Sequence, residues 1–167
     1  MGIYAVDKLM KEARALAAEY RKATGKPLGI SSEIAEHDAA RLLNLELCAE
    51  RGDGYDAIGL GDRKGLRIQI KGRAIFDESK SVQRIGQLKL DKSWDRVVLV
   101  IMDDEYQPVE IYEATRGVIE SALAESKSKR ANRGAMSVAK FKVIGERVWC
   151  SEEDVLKDEI WDNQSDD

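Results

Sequence analysis

Three polar residues near the middle of the chain, Asp56, Gln69 and Lys71, have the types and the spacing of a hydrolytic site. In the run Leu66-Arg67-Ile68-Gln69-Ile70-Lys71-Gly72-Arg73, apolar and polar residues alternate. That is the period of a strand with one apolar and one polar face. Gln69 and Lys71 therefore leave the same face, about 7 Å apart along the strand. Gly61 to Gly65 has the composition of a turn, and Asp56 lies in a short extended run before it. A hairpin then brings the Asp56 carboxylate beside Gln69 and Lys71. An acid, an amide and an amine on neighbouring strands suit a divalent cation. Asp56 would be its first ligand and the Gln69 carbonyl oxygen a second hard donor, with Lys71 directed at a phosphate or a water.

An aspartate thirteen positions before Gln69-Ile70-Lys71 on an amphipathic strand resembles the core of the PD-(D/E)XK nuclease superfamily. The resemblance is to the branch in which Gln replaces the middle acid, as in Mrr-type restriction enzymes. Tyr55 stands where the superfamily has proline, and Gln69 is a weaker metal ligand than a carboxylate. The resemblance implies a restriction-endonuclease-like core and a metal-dependent endonuclease that hydrolyses phosphodiester bonds, with DNA as the expected substrate. It further implies Mg²⁺, or Mn²⁺ as a substitute, held by Asp56, the Gln69 side-chain oxygen and the Ile70 backbone carbonyl.

It also implies a glutamate from the preceding helix that points into the site. Glu36 has Ala39, Ala40 and Leu43 at i+3, i+4 and i+7, so it borders the buried stripe and is the first choice for the metal. Glu33 is the second choice, in the first turn where the helix dipole favours an acid. Two readings from other classes remain open. One is a catalytically silent relative that binds DNA or a protein partner with the same fold. The other is a small α/β interaction protein in which the D…QIK pattern is coincidental.

The elements that must position these residues follow from periodicity and punctuation. Residues 5–23 form an amphipathic helix with Val6, Leu9, Met10, Ala13, Leu16, Ala17 and Tyr20 on its apolar side, closed by Gly25 and Pro27. Ser31 or Ser32 is expected to cap a second helix from Glu33 to Leu43. Leu45–Ala49 is a short strand, and Asp53, between two glycines, is a turn residue. Val97–Met102 is a continuous apolar run, the mark of a central strand covered on both faces. Val109–Glu113 is the next strand, followed by a helix over Ala114–Leu123. Ser137 caps a short helix with Val138, Phe141 and Ile144 inward, and Arg147–Cys150 is the last strand. This order predicts an α/β fold, bordering on α+β, with a mixed central sheet flanked by helices.

Length and charge set the remaining bounds. The 167 residues suit one domain over 1–161, with an acidic tail over 162–167 expected to be disordered. The net charge of −4 is unevenly spread. Residues 151–167 hold eight acids and one lysine, or −7, which leaves residues 1–150 with 26 cations against 23 acids, or +3. Residues 127–147 carry seven cations and one acid. Lys127, Lys129, Arg130, Arg133 and Lys140 from this segment, with Arg73, are the expected contacts to a nucleic-acid backbone. Lys80, Arg84 and Lys89 are within the reach of the same role. Cys48 and Cys150 form no CxxC, and His37 is the sole histidine, which excludes a histidine-rich metal site. With no membrane-length apolar run, a cytoplasmic protein is expected. Double-strand cutting by so short a chain suggests a homodimer or a partner that supplies specificity.

Overall fold

The computed structural model describes residues 2–50, 53–76, 83–126 and 134–152. The expected tail over 162–167 lies outside them, as do Lys80, Lys127, Lys129, Arg130 and Arg133. The described chain is a mixed α/β fold built on a six-stranded sheet. Helices α1 (Ile3–Thr24) and α2 (Ser31–Leu43) lead into β1 (Leu45–Leu47), β2 (Ala57–Gly59), β3 (Arg67–Ala74) and β4 (Arg84–Ile85). Then come β5 (Arg96–Met102), β6 (Pro108–Thr115), α3 (Arg116–Glu125), β7 (Met136–Ser137), α4 (Val138–Ile144) and β8 (Glu146–Cys150). The sheet order is β1-β2-β3-β5-β6-β8, while β4 and β7 form a separate two-stranded ribbon. Among the described residues only the β3–β5 pair in the sheet is parallel, in register from Ile68↔Arg96 to Ala74↔Met102.

Alternation along β3 and β5 divides the core into two layers. Ile68, Ile70, Val98 and Val100 pack with Ala35, Ala39 and Leu43 of α2. On the other face Val97, Leu99 and Ile101 pack with Ile85, Leu88, Trp94, Ile119 and Phe141. β5 is therefore covered on both faces, as its continuous apolar run requires. Gly72 lets α2 approach: a Cβ there would stand 2.4 Å from the Ala35 Cβ.

Three features differ from the expectation: two element boundaries and the buried face of α1. Helix α2 begins at Ser31 with Ile30 at the N-cap and no side-chain cap. Gly29, at φ +61°, makes the turn, and the partly buried Ile30 anchors the entry instead of a hydroxyl. Ala114 and Thr115 belong to β6 rather than to the following helix, because they pair with Val97 and Arg96 across the ladder. The Thr115 hydroxyl then caps α3 by accepting from the Val118 N–H. On α1, Met10, Ala17 and Ala18 pack inward, while Val6, Leu9, Leu16 and Tyr20 face solvent.

Charged residues also enter the core. Arg14 of α1 makes a two-pronged bond to Asp38 of α2, at 2.8 and 2.9 Å, and donates to the Tyr106 carbonyl in the β5–β6 turn. Asp38 is fully buried. Glu113 of β6, also buried, accepts from Arg63 at 2.7 Å and Arg96 at 2.9 Å. Each buried acid is thus paired, as burial demands.

Candidate active site

Strand β3 supplies most of the site because it outruns β2. The β2–β3 ladder ends at Ala57↔Ile68, so from Gln69 onward β3 has β5 on one side and, among the described residues, no strand on the other. Asp95 donates its N–H to the Arg67 carbonyl and Ile75 donates to the Met102 carbonyl. Odd-numbered backbone groups of β3 therefore face β5, and the even-numbered ones face the open edge. The Ile70 N–H and C=O both look out there. Asp56, one residue before β2, closes part of the gap: its Oδ2 accepts from the Ile70 N–H at 2.7 Å. Its own N–H donates to the Ile68 carbonyl at 2.8 Å, which fixes the residue at that point.

Side-chain direction does the rest. Ile68, Ile70 and Gly72 face α2, so Gln69, Lys71 and Arg73 rise from the opposite face. The segment 84–94 lies over that face. Arg73 donates Nε to the Arg84 carbonyl and Nη1 to the Gly72 carbonyl, which holds its guanidinium in place. A Cβ at Gly86 would stand 3.5 Å from Lys71 Nζ and 3.6 Å from Arg73 Nη2. Lys89 completes this group; its carbonyl accepts the Trp94 indole N–H at 2.7 Å.

Burial pushes the Lys71 ammonium below its ordinary pKa of 10.5. Asp56 opposes this, while Arg73 and Lys89 add to it. Burial likewise lowers Arg73, although a guanidinium stays charged. Cys48 donates its backbone N–H to the Asp56 carbonyl. Its thiol is raised by burial first, then by Asp56 and Glu46, so it stays protonated and is a poor nucleophile.

The donor set fits a hard divalent cation. Gln69 is buried, and its Oε1 has no hydrogen-bond partner among the described residues. A buried amide oxygen without a partner costs about 1–3 kcal/mol, so an atom left this way calls for an explanation. A cation would be one such explanation: Gln69 Oε1, the Asp56 carboxylate and the outward Ile70 carbonyl are all oxygens of the kind Mg²⁺ prefers. Among the described residues no three of His, Cys, Asp and Glu converge on a common point, so the set would hold few carboxylates.

The structure brings together Asp56, the Ile70 backbone, Lys71 and Arg73, with Gln69 on the same face. It keeps α2 on the other face of β3. Glu33 is exposed in the first turn of α2, and Glu36 is half-buried one position after Ala35. The open edge of β3 is where the two faces meet. Lys140 is exposed on α4. Asp53 is a turn residue as expected, accepting from the Ser93 hydroxyl. His37 is half-buried, 3.4 Å from Asp7 of α1. Sequence reasoning missed Gly86 and Cys48. Gly86 bears on Lys71 across space and carries no local pattern, whereas the position of Cys48, eight residues before Asp56, was visible without its meaning. No protein-family model matches the chain, and no curated protein matches it in sequence.

Proposed function

We propose that this chain is a metal-dependent nuclease of the PD-(D/E)XK type, hydrolysing phosphodiester bonds of nucleic acid, with DNA as the favoured substrate. The observation that carries the reading is Gln69 Oε1, buried and without a hydrogen-bond partner among the described residues, on the same strand face as Lys71 and on a strand to which the Asp56 carboxylate is pinned. Asp56, Gln69 Oε1 and the Ile70 carbonyl would hold Mg²⁺, or Mn²⁺ in its place, with Glu36 as the further acid and Glu33 as the second choice. When bound, the cation would supply Lewis-acid polarisation of a phosphate and a more acidic water. Asp56 keeps its carboxylate oriented through the Ile70 N–H. Lys71, with its pKa lowered, either takes a proton from the attacking water or neutralises charge on the phosphate. Arg73, clamped by two carbonyls, is a fixed cation for a neighbouring phosphate. Lys140 and the basic residues between 127 and 133 would extend the backbone contacts.

A specific observation favours the silent, DNA- or protein-binding relative as the second reading: among the described residues no group of three His, Cys, Asp or Glu is placed to hold a metal. Among the described residues no helix is long and apolar enough to cross a membrane. A cytoplasmic setting, and action as a homodimer or with a specificity-giving partner, belong to the proposal.

The test is cleavage of linear, supercoiled and branched DNA with Mg²⁺ or Mn²⁺, comparing wild type with Asp56→Ala, Gln69→Leu and Lys71→Ala. Metal-dependent cutting lost in all three variants is expected. Intact, salt-sensitive binding without cutting would favour the silent relative, and neither cutting nor binding would leave an interaction protein.

A further inference from the structure

Helix α1 carries more apolar surface than it uses on its own fold. Met10, Ala17 and Ala18 pack into the first core layer, together with the Arg14–Asp38 pair. Val6, Leu9, Leu16 and Tyr20 stay 41%, 50%, 58% and 39% exposed. With the half-buried Ala13, these residues succeed one another at spacings of three and four: Val6, Leu9, Ala13, Leu16, Tyr20. That is the repeat of a helix-pairing seam, sustained through most of a 22-residue helix. The seam runs alongside the face that docks on the body of the molecule.

We propose that this seam is the contact with a second copy of this chain, the two α1 helices crossing antiparallel about a two-fold axis at Ala13. A two-fold contact must be self-complementary, so that if one residue meets another, the second meets the first in return. Reversing the seam about Ala13 achieves this. Ala13 meets Ala13 where the helices come closest and a small side chain is needed. Leu9 meets Leu16 on either side, and Val6 meets Tyr20 beyond. Charge on the solvent side of the seam divides: exposed Glu12, one residue from the axis, faces its own counterpart in the second copy, whereas Lys8 and Glu19 favour the antiparallel register. Lys8 and Glu19 are exposed on the solvent side of the seam, and the antiparallel arrangement sets each beside the other's counterpart in the second copy. A parallel pair in register would set lysine by lysine and glutamate by glutamate, which is unfavourable. The exposed seam amounts to roughly a few hundred Å² per copy, within the range of the largest apolar patch on a monomer. Two copies with their flanks reach the lower end of specific interfaces, on the order of 1,000 Å². The dimer is therefore a reversible one. It does not depend on the chemistry proposed above.

Sedimentation equilibrium of the full chain, from low to high micromolar concentration, tests this. Wild type is expected to dimerise reversibly, and the combined variant Leu9→Glu with Leu16→Glu to remain monomeric with unchanged circular dichroism. Lys8→Glu and Glu19→Lys should each weaken dimerisation roughly five- to tenfold, and combining them should restore it. A wild type that stays monomeric throughout, or a Leu9→Glu, Leu16→Glu variant that dimerises as well as wild type, would overturn the proposal. In the first case the seam would belong to a different protein. Failure of the charge exchange to restore dimerisation would overturn the antiparallel register.

Discussion

Lys71 shows what one residue trades for its position. Its ammonium is half-buried on the β3 face with Arg73 and Lys89 nearby, and its pKa is lowered mainly by desolvation. In the unfolded chain the amine keeps its ordinary value of 10.5, so between the lowered folded value and 10.5 the unfolded state binds more protons. Stability therefore rises with pH across that window, and the cost of burying the charge is present below it. Lys71→Met removes that cost. The variant is expected to lose cleavage by about 10²-fold or more while melting no lower than wild type at neutral pH. Its melting temperature should also lack the wild type's rise as pH increases toward 10.5. Thermal melts across alkaline pH check this; a variant clearly less stable than wild type at neutral pH would mean that Lys71 holds the fold together.

At the scale of elements, the start of the β3–β5 pair is fastened by Arg67 and Asp95. Asp95 Oδ2 accepts from both the backbone N–H and Nε of Arg67, and Oδ1 accepts from Nη2 at 3.0 Å. These bonds hold the Asp95 carboxyl below its ordinary 3.8. The stabilisation is thus complete above pH 3.8 and fades as pH falls through the lower folded value. Asp95→Asn should be less stable than wild type at neutral pH, and the gap should close in acid, as denaturant titrations at several pH values would show. A gap independent of pH would contradict the clasp. This clasp also marks how far the elements were legible in sequence. The period of two in Leu66–Arg73 and the apolar run Val97–Met102 located β3 and β5, because a strand shows in the chain which faces it buries. The start of α3 lies later than expected because Ala114, a helix former by type, is kept extended with Thr115 by partners on β5. Ser31 and Ser32 looked like caps, but Gly29 and the packing of Ile30 made a hydroxyl unnecessary. At the site, the shared face of Gln69, Lys71 and Arg73 was legible from alternation. That β3 outruns β2 depends on strand lengths, which periodicity does not give, and that Gln69 Oε1 lacks a partner among the described residues depends on packing across the sheet.

The whole molecule is joined through a charge that sequence periodicity cannot assign. Asp38 falls on the buried stripe of α2, where an acid looks like an error until Arg14, 24 residues earlier, is brought to it. The pair ties α1, α2 and the β5–β6 turn together at the far end of the sheet from Asp95. Asp38→Ala leaves the Arg14 guanidinium buried without its acid and should cost about 3–5 kcal/mol. Urea denaturation measures this directly, and a loss below about 1 kcal/mol would show that α1 is held by its apolar contacts alone. The open edge of β3 has a consequence of a different kind. An unpaired strand edge is a template for pairing with another chain, and proteins blunt such edges with charge. The Asp56 carboxylate does this by occupying the Ile70 N–H. Replacing Asp56 by alanine thus exposes a sticky backbone as well as removing the proposed metal ligand, whereas asparagine can still cover Ile70. Loss of function in the alanine variant is informative only where light scattering shows that it has not aggregated.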